Sequence, residues 1–328
     1  MLRFACFFAP VLVAPFLWAA NFIAARAVHE VSDPLWLNSA RWDAAALVLL
    51  PVLWRDRRNV ANALRTHFAT LVVLALLGVV GSNTLIYYGL EHASATQVGV
   101  VYGFTPFLIL LMSRVSGGAR LDARQSWAGV IAFSGVCFIL TGGEMAVLQQ
   151  EATTGAMFVL AGGALWAGYS VRLHRARLTL APMTLVAVLA TLGALIMLPL
   201  MWVRPAPAAE AMVPVLSVVA FLGIAGSALA FWAWGVAVAR VGACRTGIGL
   251  QMIPVFGALM AWGILGEVPT LAHLIGIVLV VTGLFLACQP TLGTARPACL
   301  KAIETTGQID AFRDHYPKDR RDGYFGRA

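Results

Sequence analysis

The stretch GVVYGFTPFLILLMSRVSGG, Gly99 to Gly118, returns in altered form as GIGLQMIPVFGALMAWGILG, Gly247 to Gly266, at an offset of 148 residues. Gly99 falls on Gly247, Pro106 on Pro254, Leu111 and Met112 on Leu259 and Met260, and Gly118 on Gly266. Each copy is an apolar run long enough to cross a bilayer, with a proline near its centre. Proline removes a backbone donor and bends the helix, which lipid tolerates only where neighbouring helices or a cavity rescue the freed carbonyl. Both copies are therefore candidates for helices around a cavity.

The same register reaches outward in both directions. Val11, Leu12, Leu17, Trp18 and Ala19 coincide with Val159, Leu160, Leu165, Trp166 and Ala167, and the match continues through Pro34/Pro182, Pro51/Pro199, Trp54/Trp202, Gly78/Gly226, Ala95/Ala243 and Gly135/Gly283. Between positions 11 and 135 the ungapped comparison gives 24 identities, two tryptophan pairs and three proline pairs among them. Arg3 before an apolar run, with Ala25-Arg26-Ala27 after it, imitates a secretory leader. The repeat instead places this first segment in the fold.

Of the 328 residues, 60% are hydrophobic and 12% charged, and the mean hydropathy is +0.82. The apolar residues come in ten blocks: 4–24, 34–54, 68–90, 94–114, 125–142, 153–171, 182–202, 213–238, 246–265 and 270–288. This predicts an all-α polytopic membrane protein with ten transmembrane helices. The basic residues behind the net charge of +8 punctuate the blocks rather than sharing a face, which argues against nucleic acid. Five cysteines, Cys6, Cys137, Cys244, Cys288 and Cys299, are scattered without a CxxC or a Cys/His cluster, so neither a disulfide nor a metal is expected.

Two halves of five helices, 1–142 and 143–288, follow from the repeat, and five is odd. The second half then enters the membrane from the opposite side, giving an inverted repeat of the kind many secondary transporters use. With the N-terminus cytoplasmic, twelve arginines fall in inner links: Arg55, Arg57, Arg58, Arg65, Arg114, Arg120, Arg124, Arg172, Arg175, Arg177, Arg240 and Arg245. Only Arg26 and Arg204 fall outside, which sets the orientation by the positive-inside rule. Residues 289–328 carry seven Lys or Arg and five Asp or Glu without apolar period, and read as a disordered cytoplasmic tail.

Phe16-Leu17-Trp18-Ala19-Ala20-Asn21-Phe22 resembles the aromatic-rich first helix of the EamA-type transporters in the drug/metabolite transporter superfamily. Arg41 early in helix two, the Thr105-Pro106 and Ile253-Pro254 helices, and Leu265-Gly266-Glu267 followed by Gly276 and Gly283 add to the likeness, which spans about residues 4 to 288. The resemblance implies a bacterial inner-membrane carrier, both termini cytoplasmic, with a cavity lined by helices one, three, four, six, eight and nine and a cargo such as an amino acid. Gly118-Ala119 stands where the second half has Gly266-Glu267, so the first half lacks that glutamate.

Several side chains are candidates for the path. Trp18 and Asn21 lie three apart on one helix face, and the repeat sets Trp166 and Tyr169 at the equivalent points. An aromatic beside a hydrogen-bonding group suits a cargo with an apolar body and a polar head; packing against another helix is the other reading. Asn83 and Tyr87 in helix three, Tyr102 and Pro106 in helix four, Trp232 in helix eight, and Gln251 and Pro254 in helix nine complete the set. Arg41 and Asp43 sit deep in helix two, where a charge costs roughly 2.5–3.5 kcal/mol. Two apart, they point about 200° from each other and each needs its own partner. Asp43 is a candidate proton carrier and Arg41 its holder or that of a substrate carboxylate; a structural role is open for both.

HExxH, P-loop and GxSxG patterns are absent from the sequence, which leaves enzyme chemistry without support and asks for no cofactor. The expectation is a gradient-driven exporter of small metabolites working by alternating access. A membrane scaffold or sensor acting through the tail, or a carrier of drugs or nucleotide sugars, is the alternative. Proton coupling and homodimer formation stay open.

Overall fold

Asp33 shows how this sequence starts a helix. Its carboxylate accepts from the backbone of Leu35 and Trp36 at 2.9 and 3.0 Å, with Pro34 in the first turn, where a missing N–H is harmless. The computed structural model describes residues 2–116, 123–140, 150–176, 178–241, 250, 252–266, 268 and 270–288. Helix α1 spans Leu2–Ala27, α2 Pro34–Arg55 and α3 Arg57–Leu74. A π-helical segment, Ala75–Gly81, leads into α4, Ser82–His92. Then follow α5 Ala95–Tyr102, α6 Thr105–Val115, α7 Ala123–Leu140, α8 Gln150–Ala176, α9 Pro182–Trp202 and α10 Ala209–Phe221. A second π segment, Leu222–Leu229, precedes α11, Ala230–Val241. The last elements are α12 Met252–Met260, a π segment Ala261–Leu265 and α13 Leu271–Cys288.

The described residues are helical, without strands, and the helical unit ends at Cys288. Arg57–His92, Thr153–Leu173, Pro182–Trp202 and Ala209–Ala237 are long and apolar enough to cross a membrane, and four shorter apolar helices accompany them. Leu47, Leu195, Val278 and Phe285 stand exposed on the outside, a surface suited to acyl chains rather than water. The chain is thus a polytopic membrane protein.

Two expectations are refined. The third apolar block begins where His67, at φ −130° and ψ 20°, interrupts α3; the polar turns before it, from Arg57, are mostly exposed. Pro106 does not kink a continuous helix. The chain turns at Gly103-Phe104 and Pro106 opens α6 in its first turn, so no hydrogen bond is lost. Before that break, α5 starts on a capping box in which Ser94 and Gln97 satisfy each other's backbone N–H.

Helices related by the 148-residue offset pack on one another: α2 on α9, and α7 on α13. A Cβ on Gly135 of α7 would sit 2.8 Å from the Gly276 carbonyl of α13, so glycine permits that approach. The α2–α9 pair is tied at both ends. Arg204 after α9 pairs with Asp33 at 3.8 Å and donates to the Tyr88 hydroxyl at 3.2 Å, while Thr184 of α9 donates to Asp56 after α2. The expected tail, 289–328, and the repeat glycines Gly118 and Gly247 lie outside the described residues.

Candidate functional site

Where α1, α2, α8 and α11 converge, aromatic rings fill the centre. Trp18 of α1 meets Trp166 of α8 edge to face, with centroids 5.7 Å apart. Phe231 of α11 is the hub, touching Trp18 at 5.8 Å, Trp166 at 5.4 Å and Trp42 at 5.3 Å, each near perpendicular. Trp234 leans on Trp18 at 5.4 Å. Such edge-to-face pairs contribute about 0.5–1.5 kcal/mol each beyond the area they bury. Trp18, Trp42, Trp166 and Phe231 are all buried.

One turn from Trp18, the Asn21 amide lies on Gly226 in the second π segment. The Tyr169 ring lies on Gly78 in the first, where a Cβ would be 2.7 Å from it. Asn21 and Tyr169 are one offset apart, and so are Gly78 and Gly226. Each half therefore sets the same helix position onto the other half's glycine.

Beside this cluster lies a buried charge. Arg41 of α2 is 1% exposed. Its Nη1 donates to the Tyr87 hydroxyl and, at 3.5 Å, to Asn21 Oδ1; Tyr87 in turn donates to Asn21 Oδ1 at 2.9 Å. The guanidinium carbon lies 4.9 Å from the Trp42 ring centroid and 5.3 Å from that of Tyr87, so two π faces share its charge. No carboxylate among the described residues pairs with it. Asn38, one turn earlier, donates to Thr84 at 2.8 Å and to the Val79 carbonyl at 3.2 Å, holding α2 to the first π segment and α4.

The structure brings Trp18, Asn21, Arg41, Tyr87, Trp166 and Tyr169 together. It separates Asp43, which is half-buried with no hydrogen bond or ion pair among the described residues, on the side of α2 that carries the exposed Leu47, Leu50 and Trp54. Asn83 is occupied locally, its amide donating to the Gly78 carbonyl at 2.5 Å and so satisfying the π segment. Tyr102 packs edge-on against Phe22 at 5.6 Å. Pro254 lies against α5, with Gly99 and Gly103 giving it room. Pro106 is half-buried. Trp232 is 42% exposed, and the adjacent Phe231 turns inward to the ring cluster. Gln251 lies outside the described residues. Phe231, Trp42 and Trp234 escaped the sequence reading because an aromatic in an apolar run carries no sign of which face it takes.

A family model described as the EamA-like transporter family matches residues 4–141 and again 153–289. A "Probable terminal-alkyne amino-acid exporter" of Streptantibioticus cattleyicolor is 30% identical over 286 residues, 86% of this chain and 93% of that protein. "Uncharacterized transporter YyaM" of Bacillus subtilis is 25% identical over 255 residues, 76% of this chain and 83% of its own length. A solved crystal structure superposes with a TM-score of 0.59 at 21% identity, covering 86% of this chain and 96% of that one, which shows a shared fold. Two matches to one family model, over a helical chain whose halves exchange the same contacts, lead to one conclusion: the protein is a membrane transporter, not an enzyme, and belongs to the EamA-like transporter family.

Proposed function

We propose that the protein is a secondary transporter that exports small amino-acid-like metabolites across the bacterial inner membrane. Its two inverted five-helix halves, 1–142 and 143–288, alternate access to a site beside the Trp18–Trp166 contact. The observation that carries this reading is the exchanged pair of contacts, Asn21 on Gly226 and Tyr169 on Gly78. Halves that pack on each other through equivalent surfaces can trade conformations, and the trade turns an inward opening into an outward one. The asymmetry of twelve inner to two outer arginines supports the inverted arrangement, with both termini cytoplasmic. The amino-acid exporter of Streptantibioticus cattleyicolor supports the cargo class and direction.

The test is a screen of cells overproducing the protein against toxic amino-acid analogues. Resistance, with the analogue accumulating outside faster than from cells carrying an empty vector, is the expected result. Uptake in place of efflux would reverse the proposed direction. No net movement of any analogue in sealed vesicles bearing a pH gradient would remove the cargo class.

A further inference from the structure

Arg41 holds a full positive charge at 1% exposure, and its polar partners, Tyr87 and Asn21, are both neutral. Among the described residues, Nε and Nη2 have no acceptor, and neither does Nε1 of Trp42, whose ring the guanidinium overlies. An uncompensated buried charge is costly, and so is each N–H withdrawn from water without a partner. Burial alone does not account for which atoms are left open. Nη1 is taken by Tyr87 and Asn21, while Nε and Nη2 form the opposite, side-on edge of the guanidinium, the edge whose two parallel N–H groups match a carboxylate. Tyr87 and Asn21 fix the plane of the group and leave that edge available.

We propose that the Nε/Nη2 edge of Arg41 receives the carboxylate of the transported molecule; this rests on the transporter reading and narrows its cargo to molecules bearing a carboxylate. Trp42 ties the site to the aromatic contact, since its ring touches both the guanidinium and Phe231. Parting of the rings opens the edge to one side of the membrane, and the arriving carboxylate neutralises the charge. A neutral amide of the same shape leaves that charge unbalanced and is rejected.

The experiment uses the full chain in lipid nanodiscs and follows the arginine Nε–H resonances by NMR. Arg41 is identified as the resonance most protected from hydrogen exchange, and by its loss in Arg41→Lys. Sodium propionate is expected to move it saturably, and propionamide to leave it in place. With binding followed in both proteins through the indole N–H resonance of Trp42, whose ring the guanidinium overlies, folded Arg41→Lys is expected to bind propionate about 10- to 100-fold more weakly, the loss of a bidentate charge-assisted contact. A resonance indifferent to propionate overturns the proposal, as does a folded Arg41→Lys with wild-type affinity. If that variant does not fold, the wild-type titration decides alone. Export of carboxylate cargo at the wild-type rate by folded Arg41→Lys and Arg41→Gln would sink the site and spare the transporter; propionate binding without export of any analogue would spare the site and sink the transporter.

Discussion

Trp18 and Trp166 occupy equivalent positions in the two halves and touch each other, edge to face, 5.7 Å between centroids. Phe231, wedged against both rings, holds them together, and the alternating access proposed above requires them to part.

Phe231→Ala removes the hub and leaves a hole at the centre. The expected loss is about 3–5 kcal/mol of stability, read as a lower melting temperature in detergent. In that background a cysteine at position 21 is expected to react with a small maleimide within minutes, whereas with Phe231 present it stays protected. Equal labelling in both would show that the rings do not close the path.

Gly78→Ala places a methyl group against the Tyr169 ring. Overpacking of this kind costs about 1–3 kcal/mol. Tyr169→Ala in the same chain relieves the clash, so the double variant is expected to lose less than the sum of the two single ones. Additive losses would place Tyr169 elsewhere.

Asp43 gives a separate test of coupling. If the carboxylate carries the proton, Asp43→Asn abolishes counterflow driven by a pH gradient in proteoliposomes and leaves cargo binding measurable. Unchanged pH dependence assigns the proton to another group.

The inverted arrangement predicts which ends share a side. Single cysteines at positions 57 and 175, in a cysteine-free chain, are expected to react with an impermeant reagent only after the membrane is opened, and one at position 204 in intact spheroplasts. Positions 57 and 175 on opposite faces would rule the arrangement out.

The helical blocks were legible in the sequence because hydropathy in a membrane is a one-dimensional quantity, set by composition along the chain. That Trp18 corresponds to Trp166 and Asn21 to Tyr169 was legible because the repeat aligns them; that the two tryptophans touch was not. Which face a residue takes was not. Trp232 and Phe231 are adjacent aromatics, and only the packing of α11 on α1 and α8 decides that Phe231 goes in. Arg41 was legible as costly but not as side-on open, since that depends on Tyr87 and Asn21 arriving from two other helices.

The two π segments, Ala75–Gly81 and Leu222–Leu229, occupy matching places in the two halves. A π turn arises when one residue is inserted into a regular helix. The two widened turns receive unlike guests, an amide on Gly226 and a phenol ring on Gly78: the frame is shared by both halves, and what fills it differs in size and polarity.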